Sequence, residues 1–177
     1  MHHSLRLYAR YQKLFLRYYI FQARWTGIPL VGRVVRRVAN LYGKRVSGAY
    51  LLTLDEANEI VDSSEGLALG PCACRTVFGN CHNPLNTEIM VGLNRKIFIK
   101  ERPHDYREIT KQEAKDILGD CHRSGLLHTI VKCRQDFYAI CNCCPCCCVP
   151  LRLKQKWGIY NALARNDDII RLFREPW

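Results

Sequence analysis

Residues 141–148 read Cys-Asn-Cys-Cys-Pro-Cys-Cys-Cys, six cysteines in eight positions. Thiols this close along the chain make poor disulfides with one another, because a disulfide needs a defined dihedral and Cα atoms about 4.4–6.8 Å apart. Held inside one fold, they point to a polynuclear metal centre. Cys141, Cys144 and Cys147 form C-x-x-C-x-x-C. This is the spacing with which one loop wraps three corners of a [4Fe–4S] cube and leaves the fourth to a distant cysteine. Cys143 and Cys146 repeat C-x-x-C in the next register, and Cys148 stands directly before Val149-Pro150.

A second cysteine segment lies upstream. Pro71 to Pro84 carries Cys72, Cys74 and Cys81 among prolines and a glycine, which suits a tight loop whose amides face cluster sulfurs. Arg75 is placed to favour the reduced, more negative state of such a cluster. The candidate ligands are therefore Cys72, Cys74, Cys81, Cys141, Cys143, Cys144, Cys146, Cys147 and Cys148. Nine exceed the eight that two cubanes need, so ligand sharing between the loops is expected. A zinc site also takes four cysteines, but C-x-C and C-C-x-C-C-C are poor zinc-ribbon spacings and would leave most of these thiols without a metal. Cys121 and Cys133 read as small buried hydrophobes. His82 reads as a loop side chain, His104 as a surface residue, and His122 and His128 as structural.

Composition sets the frame for this chemistry. The chain has 177 residues, 48% of them hydrophobic, enough for a packed core. Its eleven cysteines are an odd number, so they cannot all pair with one another. No export signal with an apolar run is evident, and Arg36-Arg37 is followed by a charged, glycine-broken stretch. A reducing, cytoplasmic setting is expected, where clustered cysteines bind metal. No stretch reaches the roughly 18 uninterrupted apolar residues of a membrane span.

The net charge of +11 is concentrated in one place. Ten bases and no acid precede Asp55, whereas the rest of the 27 bases face all 16 acids. Leu7, Tyr11, Leu14, Tyr18 and Phe21 recur at helical steps between Arg6, Arg10, Lys13, Arg17 and Arg24. Residues 1–48 are thus expected to form a basic amphipathic helical arm, broken at Gly27, Pro29 and Gly32, with a second short helix ending near Gly43. Its partner is expected to be anionic: an acidic redox protein, a membrane-associated complex or an anionic membrane surface at the inner face. Nucleic acid is disfavoured, because the arm is rich in large aliphatics and lacks a recognition motif.

Two later segments share a pattern. Thr53 with Glu56 and Thr110 with Glu113 are capping boxes that each start a helix. Ala57 and Ile60 recur as Ala114 and Ile117; Gly66-Leu67 recurs as Gly125-Leu126; Cys74-Arg75 recurs as Cys133-Arg134. The expected unit is capped helix, glycine stop, short strand, cysteine loop, used twice. Between the copies, Ile89-Met90-Val91 and Ile97-Phe98-Ile99 flank Asn94-Arg95 as a predicted hairpin. Residues 154–177 read as a helical tail interrupted at Gly158.

The cysteine loops carry a resemblance. Pro71-Cys72-Ala73-Cys74-Arg75, Cys81 with Pro84, Gly125-Leu126-Leu127-His128 and Ile140 to Cys148 are similar to a group of ferredoxin-like 4Fe-4S proteins of anaerobic bacteria and archaea, over roughly residues 53–153. The resemblance implies electron transfer and names no partner. Related sequences often carry a further cysteine after the first-loop proline. Leu85 to Met90 contain none, so the fourth ligand there falls to another residue, such as Cys148 or Cys133.

The expected architecture is α+β: a small ferredoxin-like dicluster domain over residues 49–153 with the pseudo-repeat, after the basic arm. The expected function is electron transfer with two [4Fe–4S] clusters. The alternative is a regulatory or nucleic-acid-binding module stabilised by a cluster or zinc. No Ser/His/Asp arrangement, P-loop or dinucleotide motif supports independent catalysis.

Overall fold

A computed structural model describes residues 2–134 and 136–175; Met1 of the arm and Pro176 and Trp177 of the tail lie outside them. The chain opens with α1 (His2–Arg24), which bends at Tyr11, and α2 (Val31–Arg45). α2 runs past the expected stop at Gly43. A Cβ there would come within 2.7 Å of the Asn161 carbonyl oxygen. The glycine serves close packing of α2 on that turn rather than helix termination.

The sheet begins with β1 (Ser47–Leu52), followed by α3 (Leu54–Ser63), β2 (Leu67–Pro71), α4 (Ala73–Phe78) and β3 (Asn86–Val91). Next come α5 (Arg95–Glu101), β4 (Arg107–Ile109), α6 (Lys111–Arg123), β5 (Leu127–Cys133) and β6 (Asp136–Cys143). α7 (Val149–Trp157), β7 (Leu163–Arg165) and α8 (Ile169–Arg174) complete it. Among the described residues, seven strands form one mixed sheet ordered β4-β2-β3-β6-β5-β1-β7. The class is α+β as expected, but a sheet of this size is not that of a small ferredoxin.

The order carries an internal relation. Strand, capped helix, strand occurs twice, as β1-α3-β2 and as β4-α6-β5. The expected cysteine loop does not recur: Cys74-Arg75 lie in α4, which separates β2 from β3, whereas Cys133 ends β5 and the chain turns directly into β6. β3 and β6 meet antiparallel at the centre. The first strands cross over: β1 pairs with β5, and β4 pairs with β2. Thr53 caps α3 with a full box, whereas Thr110 accepts from the Glu113 amide while the Glu113 carboxylate pairs with Arg107.

Two expectations are corrected. The hairpin at Asn94-Arg95 does not form. Both edges of β3 are already taken, by β2 and β6. The chain leaves at Gly92 (φ 62°), and Ile97, Phe98 and Ile99 lie in α5 with Phe98 buried. The tail is not all helix. Gly158 (φ 66°) ends α7, and Leu163 to Arg165 then pair in parallel with β1.

Strand alternation decides which face each side chain takes. Leu67, Leu69, Ile89, Val91, Ile130 and Ile140 point to one face, under Ala57, Ile60 and Val61 of α3, Ala114 and Leu118 of α6, and Ile169 of α8. Such side chains contribute about 1.5–3 kcal/mol each on burial. Ala68, Met90 and Ala139 point to the other face, under Leu5 and Ala9 of α1 and Phe98 of α5. A bulge in β6, where Val131 opposes Ala139 and Lys132 opposes Phe137, turns Tyr138 to this second face. There Tyr138 stacks on Phe98 with centroids 5.8 Å apart.

Candidate metal centre

The same alternation divides the cysteine run. On β6, Cys141 and Cys143 follow Ala139 to the α1 face, while Asn142 follows Ile140 to the α6 face. Cys144, Cys146 and Cys147 lie in the loop after the strand, and Cys148 stands at the N-cap of α7. In the upstream segment, Cys72 is the N-cap of α4 and Cys74 lies inside it, so the expected tight loop is partly a short helix. Gly79 (φ 56°) ends α4 and delivers Asn80, Cys81 and Asn83 to the β6–α7 loop.

The outer group is Cys81, Cys144, Cys146 and Cys147, whose sulfurs all lie within 4.8 Å of one another and could hold a metal ion. The Cys81 sulfur is 3.7 Å from those of Cys144 and Cys147. The Asn80 amide donates to Cys147 Sγ at 3.3 Å, and its Nδ2 donates to the Cys146 carbonyl at 2.9 Å. Asn83 Nδ2 donates to Cys81 Sγ at 3.4 Å. Burial works to raise the Cys81 thiol. Hydrogen bonds from the Asn83 backbone and side chain and from the Cys146 and Cys144 thiols outweigh it, holding Cys81 at about 6. Burial, against the Asn80 amide, pushes Cys147 up to about 12. Thiols that share protons in this way are prepared to exchange them for a cation. Cys121 is buried against Leu126, Cys144 and Cys147, and burial raises it to about 11.

The inner group is Cys72, Cys74, Cys141, Cys143 and Cys148. These line a cavity of about 610 Å³ between α1, α2 and the sheet, which Cys144 also borders. The Val149 amide lies 3.5 Å from Cys74 Sγ and donates to it, and Thr129 Oγ1 lies 3.5 Å from Cys143 Sγ. A hydrogen bond from Cys148 lowers Cys143 and correspondingly raises Cys148. Burial raises Cys72 and Cys141. Cys133 sits apart at the end of β5, half-buried.

Arg75 lies between the two groups and is 2% exposed. Its Nη1 donates to the Asn142 carbonyl at 2.9 Å, its Nη2 donates to Thr87 Oγ1, and its Nε has no partner among the described residues. Its charge acts on Cys72, Cys144 and Cys143. Asn142 Nδ2 donates to the Thr87 carbonyl at 2.8 Å, which leaves Oδ1 to accept from His128 Nδ1 at 2.6 Å. Burial lowers His128, so the ring is neutral, and it stacks on His122 at 5.5 Å. These histidines brace the strand carrying the cysteines.

Glu88, Asn80 and Asn83 were not singled out from the sequence. Glu88 on β3 is buried beside the inner group. It accepts from Tyr106 Oη at 2.9 Å, from Gln12 Nε2 at 3.4 Å and from the Cys141 thiol at 3.7 Å, and burial raises its carboxyl. Its signal was available: an acid within the apolar strand Thr87-Glu88-Ile89-Met90-Val91. Asn80 and Asn83 carry no pattern of their own.

Fold and site together define an α+β protein with a four-cysteine group of metal-holding geometry. No protein-family model matches the chain, and no significant match was found among curated proteins or solved structures. Among the described residues, no helix is long and apolar enough to cross a membrane.

Proposed function

We propose that this chain is an electron-transfer protein whose cysteines hold two [4Fe–4S] clusters, one at the outer group and one at the inner group. One observation carries the reading: four of the nine cysteines named from the sequence lie within 4.8 Å of one another, and the other five line an adjoining cavity that Cys144 also borders, with the Arg75 charge acting on members of both sets. So many thiolates in one place exceed what a single divalent ion neutralises. The donor set fits iron and sulfide, being soft thiolate with amide N–H groups directed at sulfur. The cavity at the inner thiols and the unpartnered Arg75 Nε fit an anionic inorganic group as well. When bound, such clusters supply one-electron chemistry. The chain supplies burial, the separation of the two groups, and the Arg75 charge that favours a reduced state. The basic N-terminal segment brings it to an anionic surface.

A second reading concerns the outer group alone. A tetrahedral ion with metal–sulfur bonds of about 2.3 Å spaces its ligands about 3.8 Å apart. The 3.7 Å separations of Cys81 from Cys144 and Cys147 favour one such ion, zinc or iron, with a structural role.

Metal and sulfide analysis of anaerobically purified protein tests both. The electron-transfer reading expects about eight irons and a matching quantity of acid-labile sulfide per chain, with visible absorption that bleaches and recovers on reduction and reoxidation. Zinc alone, with no sulfide, would end it and leave the structural reading.

A further inference from the structure

We infer that the α1–α2 hairpin is a docking element for an anionic lipid surface, lying in the plane of the interface. The inference does not rest on the identity of the metal. It rests on what the two helices expose. From Leu5 to Arg45, every exposed side chain is apolar, aromatic or basic, apart from the glycine and proline of the connecting turn. None is acidic, and none is Asn, Gln, Ser or Thr.

The arrangement is ordered. On α1, Leu5, Ala9, Leu16, Ile20 and Ala23 are buried on the protein. On the opposite side, Leu7, Tyr11, Leu14, Tyr18, Phe21 and Trp25 form an outward stripe at steps of three and four residues, with Leu14 65% exposed. Arg10, Lys13, Arg17 and Arg24 run beside it, each one residue before a stripe member. α2 exposes an apolar row of its own, Val34 and Val38, 63% and 61% exposed, and Leu41, next to Arg33 and Arg37. At the tip of the hairpin, Trp25, Ile28 and Leu30 stand exposed.

A soluble surface does not ordinarily carry so continuous an apolar face. A protein partner would match a polar rim able to hydrogen-bond, and nucleic acid would match bases without the aliphatic stripe. Apolar side chains with aromatic members, flanked only by positive charge, match the acyl boundary and headgroups of an anionic leaflet. Tyr18, Val34, Val38 and Tyr42 also border the cavity that reaches the inner cysteines, so docking turns its mouth to the lipid.

Vesicle flotation of the full chain tests the inference, with pure phosphatidylcholine vesicles compared against vesicles enriched in phosphatidylglycerol. The chain is expected to float with the anionic vesicles, and less so as salt rises. A triple change Arg10→Gln, Lys13→Gln, Arg17→Gln is expected to weaken partitioning roughly a hundredfold. Leu14→Gln with Phe21→Gln is expected to abolish flotation while leaving the far-ultraviolet circular dichroism unchanged, since these side chains face away from the core. Three results would each overturn the inference: no flotation with anionic vesicles at low salt, flotation indifferent to both variants, or tighter binding to duplex DNA that the Leu14 and Phe21 changes leave intact. A stable dimer that hides the stripe and ignores vesicles would overturn it as well.

Discussion

The sulfurs of Cys81 and Cys144 lie 3.7 Å apart across 63 residues of chain, and that contact joins the two cysteine segments into one site. Cys144, Cys146 and Cys147 arrive on a single loop, but Cys81 is delivered separately by the end of α4. Cys81→Ser is therefore expected to empty the outer group and leave the inner one. Iron should fall from about eight to about four per chain in anaerobic preparations. Cys121→Ser, which alters a buried neighbour of the same group, should leave the metal content unchanged. Equal loss in both variants would place Cys121 among the ligands.

Asn83 sets the chemistry of Cys81. Its backbone and side-chain bonds help hold this thiol at about 6, against an ordinary 9.0. The thiolate is the nucleophile, so in metal-free protein the alkylation of Cys81 should accelerate as pH rises through about 6 and then level off. Asn83→Ala should move that midpoint upward. In loaded protein, the same change should weaken metal retention against a chelator by about tenfold to a hundredfold, the usual effect of removing a partner that orients a ligand. Mass-spectrometric mapping of the labelled cysteine across a pH series reads the first result. An unmoved midpoint in Asn83→Ala would deny Asn83 this part.

The course of the chain explains why some of this was legible in the sequence and some was not. Local signals carried through: the Thr53 and Thr110 caps, the helical stripe of α1, and the crowding at Cys141 to Cys148 all act within a few residues. The repeated grammar was readable at its caps, since Thr53 and Thr110 each start a helix. The glycine stop holds only in the second copy, where Gly125 (φ 73°) follows α6; α3 ends at its cap Ser64, and Gly66 instead leaves room for the Arg95 side chain. That β1 and β4 exchange places in the sheet was not readable, because strand pairing depends on contacts far apart in sequence. Ile97 to Ile99 alternate like a strand yet form α5, since β3 had no free edge to offer them. The division of the cysteines follows from β6 being a strand through Cys143. Taken as one loop, the run gives no reason for Cys141 and Cys143 to part from Cys144, Cys146 and Cys147.

Arg75 places its guanidinium charge on members of both thiol groups. Lysine cannot reproduce its fork to the Asn142 carbonyl and Thr87 Oγ1. Arg75→Lys should lower stability by about 1.5–3 kcal/mol, the range for hydrogen bonds to a charged group. Arg75→Gln removes the charge as well, and in protein carrying clusters it should shift the reduction potential downward, because the reduced and more negative state loses its nearest cation. Mediated potentiometric titration of both variants separates the effects. A potential that falls in Arg75→Gln and stays near its starting value in Arg75→Lys reports the charge, whereas equal shifts in both would point to rearranged packing.

Glu56 joins a helix cap to the last strand. Its carboxylate accepts from the Thr53 amide at 2.8 Å and pairs with Arg165 of β7 at 2.6 and 2.7 Å. The hydrogen bond from Arg165 leads in holding the carboxyl below 4.5, with the Thr53 amide and the Arg165 charge adding to it against the opposing effect of burial. A carboxyl with a depressed folded value contributes stability above its unfolded value and loses that contribution as pH falls through the folded one. The contribution should thus be complete at neutral pH and fade below about 4.5. Glu56→Gln keeps an acceptor for the cap and removes the ion pair, so it should cost no more than about 1 kcal/mol at neutral pH and nothing measurable near pH 2. Thr53→Ala removes the cap itself and should cost about 1 kcal/mol at both. Urea midpoints of the two variants at the two pH values check this. A Glu56→Gln deficit that persists in acid would mean the side chain acts through packing rather than through its charge.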